Sequence, residues 1–203
     1  MIYIFHKKDL NASIGSGYEI RRVENVGPKV SAELLKGGLI AIAVSLGAML
    51  FYIWIRFEWQ FSIGAILALF HDVLITMGIF SLIGLEVNLS IVAAILTIVG
   101  YSMNDTVVIF DRVRENLKKH IDLKIFELTN LSINETLSRT IITSVTTLLA
   151  LLSIFLFGGE ILKGFSFAMI LGVVLGTYSS IFIANPVLVY FKVSQKTLIK
   201  EED

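Results

Sequence analysis

The sequence predicts an all-α polytopic membrane protein of five transmembrane helices, and three observations carry that reading. Of 203 residues, 55% are apolar and only 17% charged. The mean hydropathy is +0.79, far from the balance of a soluble globule. Five apolar runs are long enough for a bilayer core of roughly 30 Å, which takes about 20 residues per helix. Lys plus Arg and Asp plus Glu number 17 each, a formal net charge of zero, so no global basic field points to nucleic acid. The absence of cysteine removes disulfide scaffolds, thiolate metal sites and cysteine nucleophiles. His6, His71 and His120 lie far apart, so no metal cluster is expected.

The elements follow in chain order. Residues 1–36 are polar and read as a linker preceded by the remnant of a larger folded domain. Within them, 1–16 has no helical or strand period, Tyr18–Val26 alternates weakly as a strand does, and Gly27-Pro28 marks a turn. Ser31-Ala-Glu-Leu-Leu then opens the first helix. The spans are Gly37–Ile55, Phe61–Ile83, Val87–Phe110, Ile141–Phe157 and Gly164–Val189, which together define a transmembrane domain over 37–190. Arg56–Gln60 and Gly84–Glu86 are tight turns. Residues 111–140 form a longer polar loop. Its first part, Asp111 to Lys119, continues the third helix out of the lipid, and Asn130–Glu135 reads as a cap ahead of the fourth. Residues 191–203 form a tail. A cleaved signal peptide does not fit, because the polar start precedes five successive spans.

Orientation follows from Lys and Arg near the spans. Ten of the seventeen fall on Arg56, on the 111–140 loop (Arg112, Arg114, Lys118, Lys119, Lys124, Arg139) and on the tail (Lys192, Lys196, Lys200). The tally puts these on the cytoplasmic side and the N-terminus outside.

Asp72 and Asp105 are the full acids within the spans, and an ionised group near mid-membrane costs at least about 2.5 kcal/mol. Asp105 lies six residues before Asp111, roughly 9 Å deeper than that interfacial acid. Helical spacing groups Thr97, Tyr101, Ser102 and Asp105 into a polar track on the third helix. Arg139, Thr143 and Thr147, with Thr140 and Ser144 on the adjacent row, make a second track on the fourth. Because the third helix descends and the fourth returns, Asp105 and Arg139 reach similar depth and form a candidate ion pair. The alternative is that Arg139 snorkels as a positive anchor while Asp105 bonds a neighbouring helix. Burial favours the neutral acid and a close guanidinium favours the carboxylate, so proton binding at Asp105 depends on the separation of the helices.

In the second span, His71-Asp72 sits on a row of Gly64, Ala68, Asp72 and Thr76. The pair either extends a proton relay or fixes the packing of a neighbouring helix. No nucleophile-elbow pattern frames any serine, and no enzyme chemistry is expected. The last span carries Ala168, Gly172, Gly176, Ser180 and Ala184 at four-residue steps, a face for close helix packing. A shorter row, Gly37, Ala41 and Ser45, begins the first span. Pro186 should kink or end the last helix.

Several stretches together resemble the SecF family of protein-export membrane proteins. They are Val26-Gly-Pro-Lys-Val-Ser, Arg56-Phe-Glu-Trp-Gln-Phe, His71-Asp-Val, Asn104-Asp-Thr-Val-Val-Ile-Phe-Asp-Arg-Val-Arg-Glu-Asn and Asn134-Glu-Thr-Leu-Ser-Arg-Thr. The resemblance runs from about Tyr18 to Lys192. It implies half of a resistance-nodulation-division-like bundle in the bacterial inner membrane, with 1–36 the remnant of a periplasmic domain. The implied partners are SecD, the SecYEG channel with YajC as a further neighbour, an unfolded preprotein and membrane lipid. No cofactor is implied beyond a coupling ion, H⁺ or Na⁺. The family's membrane acid falls on Asp105, beside Asn104, and its membrane arginine on Arg139; together they would gate proton entry that drives an external domain.

A full family member has a further first helix and a periplasmic domain, so the resemblance implies a chain shortened at its N-terminus. Two other readings stay open: a scaffold that only stabilises SecD or the channel, and a half-transporter exporting small molecules.

Overall fold

The computed structural model describes residues 28–85, 89–120, 122–194 and 197. The expected strand over Tyr18–Val26, the turn residue Gly27 and most of the tail lie outside them. The chain divides into two units, Met1–Leu34 and Leu35–Asp203. Only the opening of the first helix is described in the former; the latter holds the bundle.

The protein is all-helical, and no strand occurs among the described residues. The elements are α1 (Pro28–Arg56), α2 (Trp59–Ile83), α3 (Leu89–Lys119), α4 (Ile125–Phe157), α5 (Glu160–Ser179), a π-helical turn (Ser180–Ala184) and α6 (Asn185–Tyr190). Among the described residues five segments are long and apolar enough to cross a membrane, the fifth running through α5, the π-turn and α6. Pro28 stands at the first turn of α1, where its missing N–H costs nothing. Gly84 ends α2 in the left-handed region at φ 68°, with its N–H turned back to the Phe80 and Ser81 carbonyls.

The bundle is built around α3. Helix α5 packs most extensively on α3 and next on α4, while α2 covers α3 and α5 from the other side. Half of the α3 span is buried, against 6% of the α1 span. Two apolar clusters fill the interior. Phe57, Phe61, Phe110, Val113 and Leu188 pack at the end that carries Arg56 and Asp111, here called the charged end. Phe80, Ile91, Ile98, Leu151 and Val173 pack toward the opposite end.

Small residues set the approach of the helices. A Cβ on Gly172 would overlap the Ile98 side chain, and one on Gly176 would stand 2.9 Å from Ser102 Cβ, so α5 lies directly against α3. A Cβ on Gly64 would stand 2.7 Å from the Ala184 carbonyl oxygen, so α2 lies equally close to the π-turn. The row that begins the first span behaves differently: Gly37 and Ala41 are exposed, and a Cβ on Gly37 would meet nothing within 4 Å.

Two local features depart from the sequence expectation. Asn130–Glu135 does not cap α4, which starts at Ile125. The hydroxyls of Thr129, Ser132 and Thr136 bond back to the carbonyls of Ile125, Leu128 and Ser132 within the helix, so they continue it instead of starting it. Pro186 does not end the last span, which continues to Tyr190. A π-helical turn, Ser180–Ala184, lies just ahead of it, and there Asn185 Nδ2 donates to the Ser180 carbonyl at 2.7 Å.

Candidate functional site

Two buried acids stand in the spans, and their surroundings differ. Asp72 arises from the small-and-polar row of α2, in which Gly64, Ala68, Asp72 and Thr76 are all buried. Its exposure is 0%. Asp72 Oδ2 accepts hydrogen bonds from Ser102 Oγ of α3 at 2.6 Å and from Ser179 Oγ of α5 at 2.7 Å. Its Oδ1 lies 3.0 Å from His71 Nδ1. His71 keeps a quarter of its side chain exposed and lies beside Tyr178, ring centroids 6.2 Å apart. The hydroxyl cluster continues one turn on: Thr106 Oγ1 and Ser180 Oγ are 2.8 Å apart, and both bond the Ser102 carbonyl. Every polar atom of Asp72 thus has a partner, which offsets the cost of burying a carboxyl group.

Asp105 is the opposite case. It is 4% exposed, its Oδ2 is buried, and no described group hydrogen-bonds that oxygen. Thr140, on α4, is 1% exposed and its Oγ1 likewise lacks a partner. Arg139 is exposed, and among the described residues it makes no ion pair with Asp105. The expected Asp105–Arg139 ion pair is thus not formed among the described residues. Asn104 is exposed and, with Ser45 and Tyr52 of α1, lines a cleft of about 480 Å³ between α1 and α3.

The polar track expected on α3 divides at Asp105. At about 100° per residue, Tyr101 lies some 40° to one side of Asp105 and Ser102 some 60° to the other. Tyr101 Oη accordingly donates to Thr147 of α4 at 3.4 Å, while Ser102 turns inward to Asp72. Thr97 is exposed and bonds its own Ala93 carbonyl. On α4, Thr143 and Thr147 bond carbonyls of their own helix, and Ser144 reaches Thr177 of α5 at 2.7 Å.

The charged end holds groups that spacing alone does not reveal. Glu58, 3% exposed in the turn between α1 and α2, pairs with Arg114 at 3.1 Å, and Arg114 also donates to the Arg56 carbonyl. Arg112 bridges Glu115 and Glu135, and Asn116 donates to Ser132 and Glu135. These bonds fasten the protruding ends of α3 and α4 together. Both the Asn104–Asn116 and the Asn134–Thr140 stretches carry acids and bases, but pairing across 20 to 60 residues is not fixed by a local period.

A multi-pass helical membrane protein with one saturated and one unsatisfied acid within its described spans is the class that fold and site define. The family model of the protein export membrane protein SecD/SecF, C-terminal, matches residues 6–194. The chain belongs to this SecD/SecF family. It is similar to the protein translocase subunit SecF of Cereibacter sphaeroides, 52% identical over 173 residues that make up 85% of this chain and 53% of that protein. The protein translocase subunit SecF of Rickettsia bellii is 51% identical over 185 residues, 91% of this chain and 61% of that protein. Among solved structures, the crystal structure of SecDF, a translocon-associated membrane protein from Thermus thermophilus, superposes with a TM-score of 0.83 at 44% identity. That match covers 93% of this chain and 26% of the SecDF chain. This chain therefore spans a little over half the length of the SecF relatives.

Proposed function

We propose that the chain acts as a SecF-type subunit of a protein-export machine. With a SecD-type partner beside the SecYEG channel, it turns proton movement across the bacterial inner membrane into work on an emerging preprotein. The observation that carries this reading is Asp105: a carboxyl group buried within a span, with one oxygen that has no described partner. A buried acid without compensating bonds is costly unless it binds and releases a proton. In the separated arrangement Asp105 takes up a proton. When α3 and α4 close, the Arg139 guanidinium favours the carboxylate and the proton leaves. One charge crossing 100 mV carries about 2.3 kcal/mol, enough to bias a two-state element.

The side-chain chemistry on which this rests is proton exchange and hydrogen bonding, so the protein is read as a coupling subunit and not as an enzyme, with the ion itself in place of a cofactor. The exposed polar positions Asn104 and Arg139 suit a partner subunit better than lipid, which supports the SecD pairing. Excess Lys and Arg at the charged end supports a cytoplasmic placement of that end.

The test is preprotein export into inverted membrane vesicles carrying the full-length protein and its partner. Asp105→Asn should abolish the proton-dependent stage while leaving the amount of inserted, partner-bound protein unchanged. Undiminished proton-dependent export in that variant would instead favour a scaffold.

A further inference from the structure

Asp72 has no part in the proton step just described, yet its oxygens are more completely bonded than those of Asp105. One carboxylate oxygen gathers Ser102 of α3 and Ser179 of α5, so three helices meet on a single atom. Its titratable neighbours among the described residues are His71 on its own helix and, beyond His71, Tyr178 on α5; what faces it from α3 is the hydroxyl of Ser102. At this depth α3 and α5 also lie in close contact, since a Cβ on Gly176 would stand 3.1 Å from Ser102 Cα. Ser102 is therefore held from two sides, by a directional hydrogen bond and by backbone proximity. Asp105 follows three residues later, about 4.5 Å further along the axis and 60° round the helix. Whatever fixes the rotation of α3 at Ser102 also fixes the direction in which Asp105 points.

Packing alone does not call for a carboxyl group here. The glycines already bring α5 against α3, and an acid at 0% exposure costs several kcal/mol unless donors compensate it. What the acid adds is directionality, because apolar contacts tolerate a turn of the helix that hydrogen bonds do not. We propose that Asp72 is a positioning residue: through Ser102 and Ser179 it fixes the rotation of α3 and so the face that Asp105 presents to protons. This role rests on Asp105 being the proton-binding group.

Carbodiimide labelling of protonated membrane carboxyls tests it, in membranes holding the full-length protein with its partner subunit and with labelled Asp105 located by mass spectrometry. Asp72→Ala and Ser102→Ala should each displace the pH of half-maximal labelling at Asp105 by about one unit, in the same direction. Asp72→Asn, which keeps an acceptor oxygen for both hydroxyls, should displace it less. An unchanged profile in Asp72→Ala and Ser102→Ala overturns the proposal. So does a displacement confined to the Asp72 variants, which would mark a through-space effect of charge and not of position. If Asp72→Ala fails to accumulate, Ser102→Ala carries the test, since it removes one hydroxyl and no charge. Failure of the underlying reading looks different: Asp105 of the unaltered protein would resist labelling at every pH, or Asp105→Asn would export with full proton dependence.

Discussion

Helix α3 meets α2 and α5 on one side and α4 on the other, and the two seams treat polar groups in contrasting ways. On the inner side, Asp72, Ser102, Ser179, Thr106 and Ser180 bond one another, and Gly172 and Gly176 bring the backbones close. On the outer side, Asp105 and Thr140 keep buried oxygens without partners, Tyr101 reaches Thr147 only at 3.4 Å, and Arg139 is exposed. A saturated network in a low-dielectric interior resists rearrangement, because each lost bond leaves a buried group unpaired. An unsaturated one has little to lose on moving. The contrast assigns rigidity to the inner seam and motion to the outer, and substitutions should separate them: inner changes lower stability, outer changes alter function at nearly constant stability.

The largest stability effect is expected at the charged end that anchors the inner seam. Arg114→Ala leaves Glu58 buried without its cation and should lower stability by up to about 3 kcal/mol, read as thermal unfolding of the purified complex. Gly176→Ala forces a methyl group against Ser102 and should cost about 2 kcal/mol, visible as lower yield and earlier aggregation on size-exclusion chromatography after heating. Ser179→Ala takes one donor from Asp72 and should cost about 1 kcal/mol by the same readout. At the bottom of the scale, Arg139→Lys should change stability by less than about 0.5 kcal/mol, since the side chain is exposed. It should still lower proton-dependent export, because an ammonium does not replace the planar guanidinium opposite a carboxylate. Equal stability losses on the two sides of α3 would show that the two seams are equally rigid.

Much of this was legible in the sequence where a single local rule decides the outcome. The spans are visible because hydropathy is summed over some 20 residues, and Asp72 and Asp105 stand out because charge in lipid is expensive whatever surrounds it. The row from Ala168 to Ala184 shows a helix face by its four-residue step. Where the outcome depends on what lies across the gap, the sequence was silent. Ser102 falls on the same nominal track as Asp105, and only the position of α2 reveals that it turns the other way to Asp72. The Gly37, Ala41 and Ser45 row has the same pattern as the α5 row, yet Gly37 meets no neighbour, because spacing states which face is smooth and not whether anything covers it. The start of α4 was missed for a related reason: Thr129, Ser132 and Thr136 have the chemistry of caps, and the same hydroxyls serve equally well bonding back inside a helix.

In the proposed function the Asp105 carboxyl gains and loses a proton, and Asp72 only positions it. Infrared difference spectroscopy of the energised complex in oriented membranes reads this directly, with Asp105→Asn and Asp72→Asn to assign the bands. A protonated-carboxyl band that appears and vanishes with the imposed proton gradient, and is lost in Asp105→Asn alone, is the predicted result. A band that ignores the gradient, or one that disappears in Asp72→Asn and survives in Asp105→Asn, would contradict it.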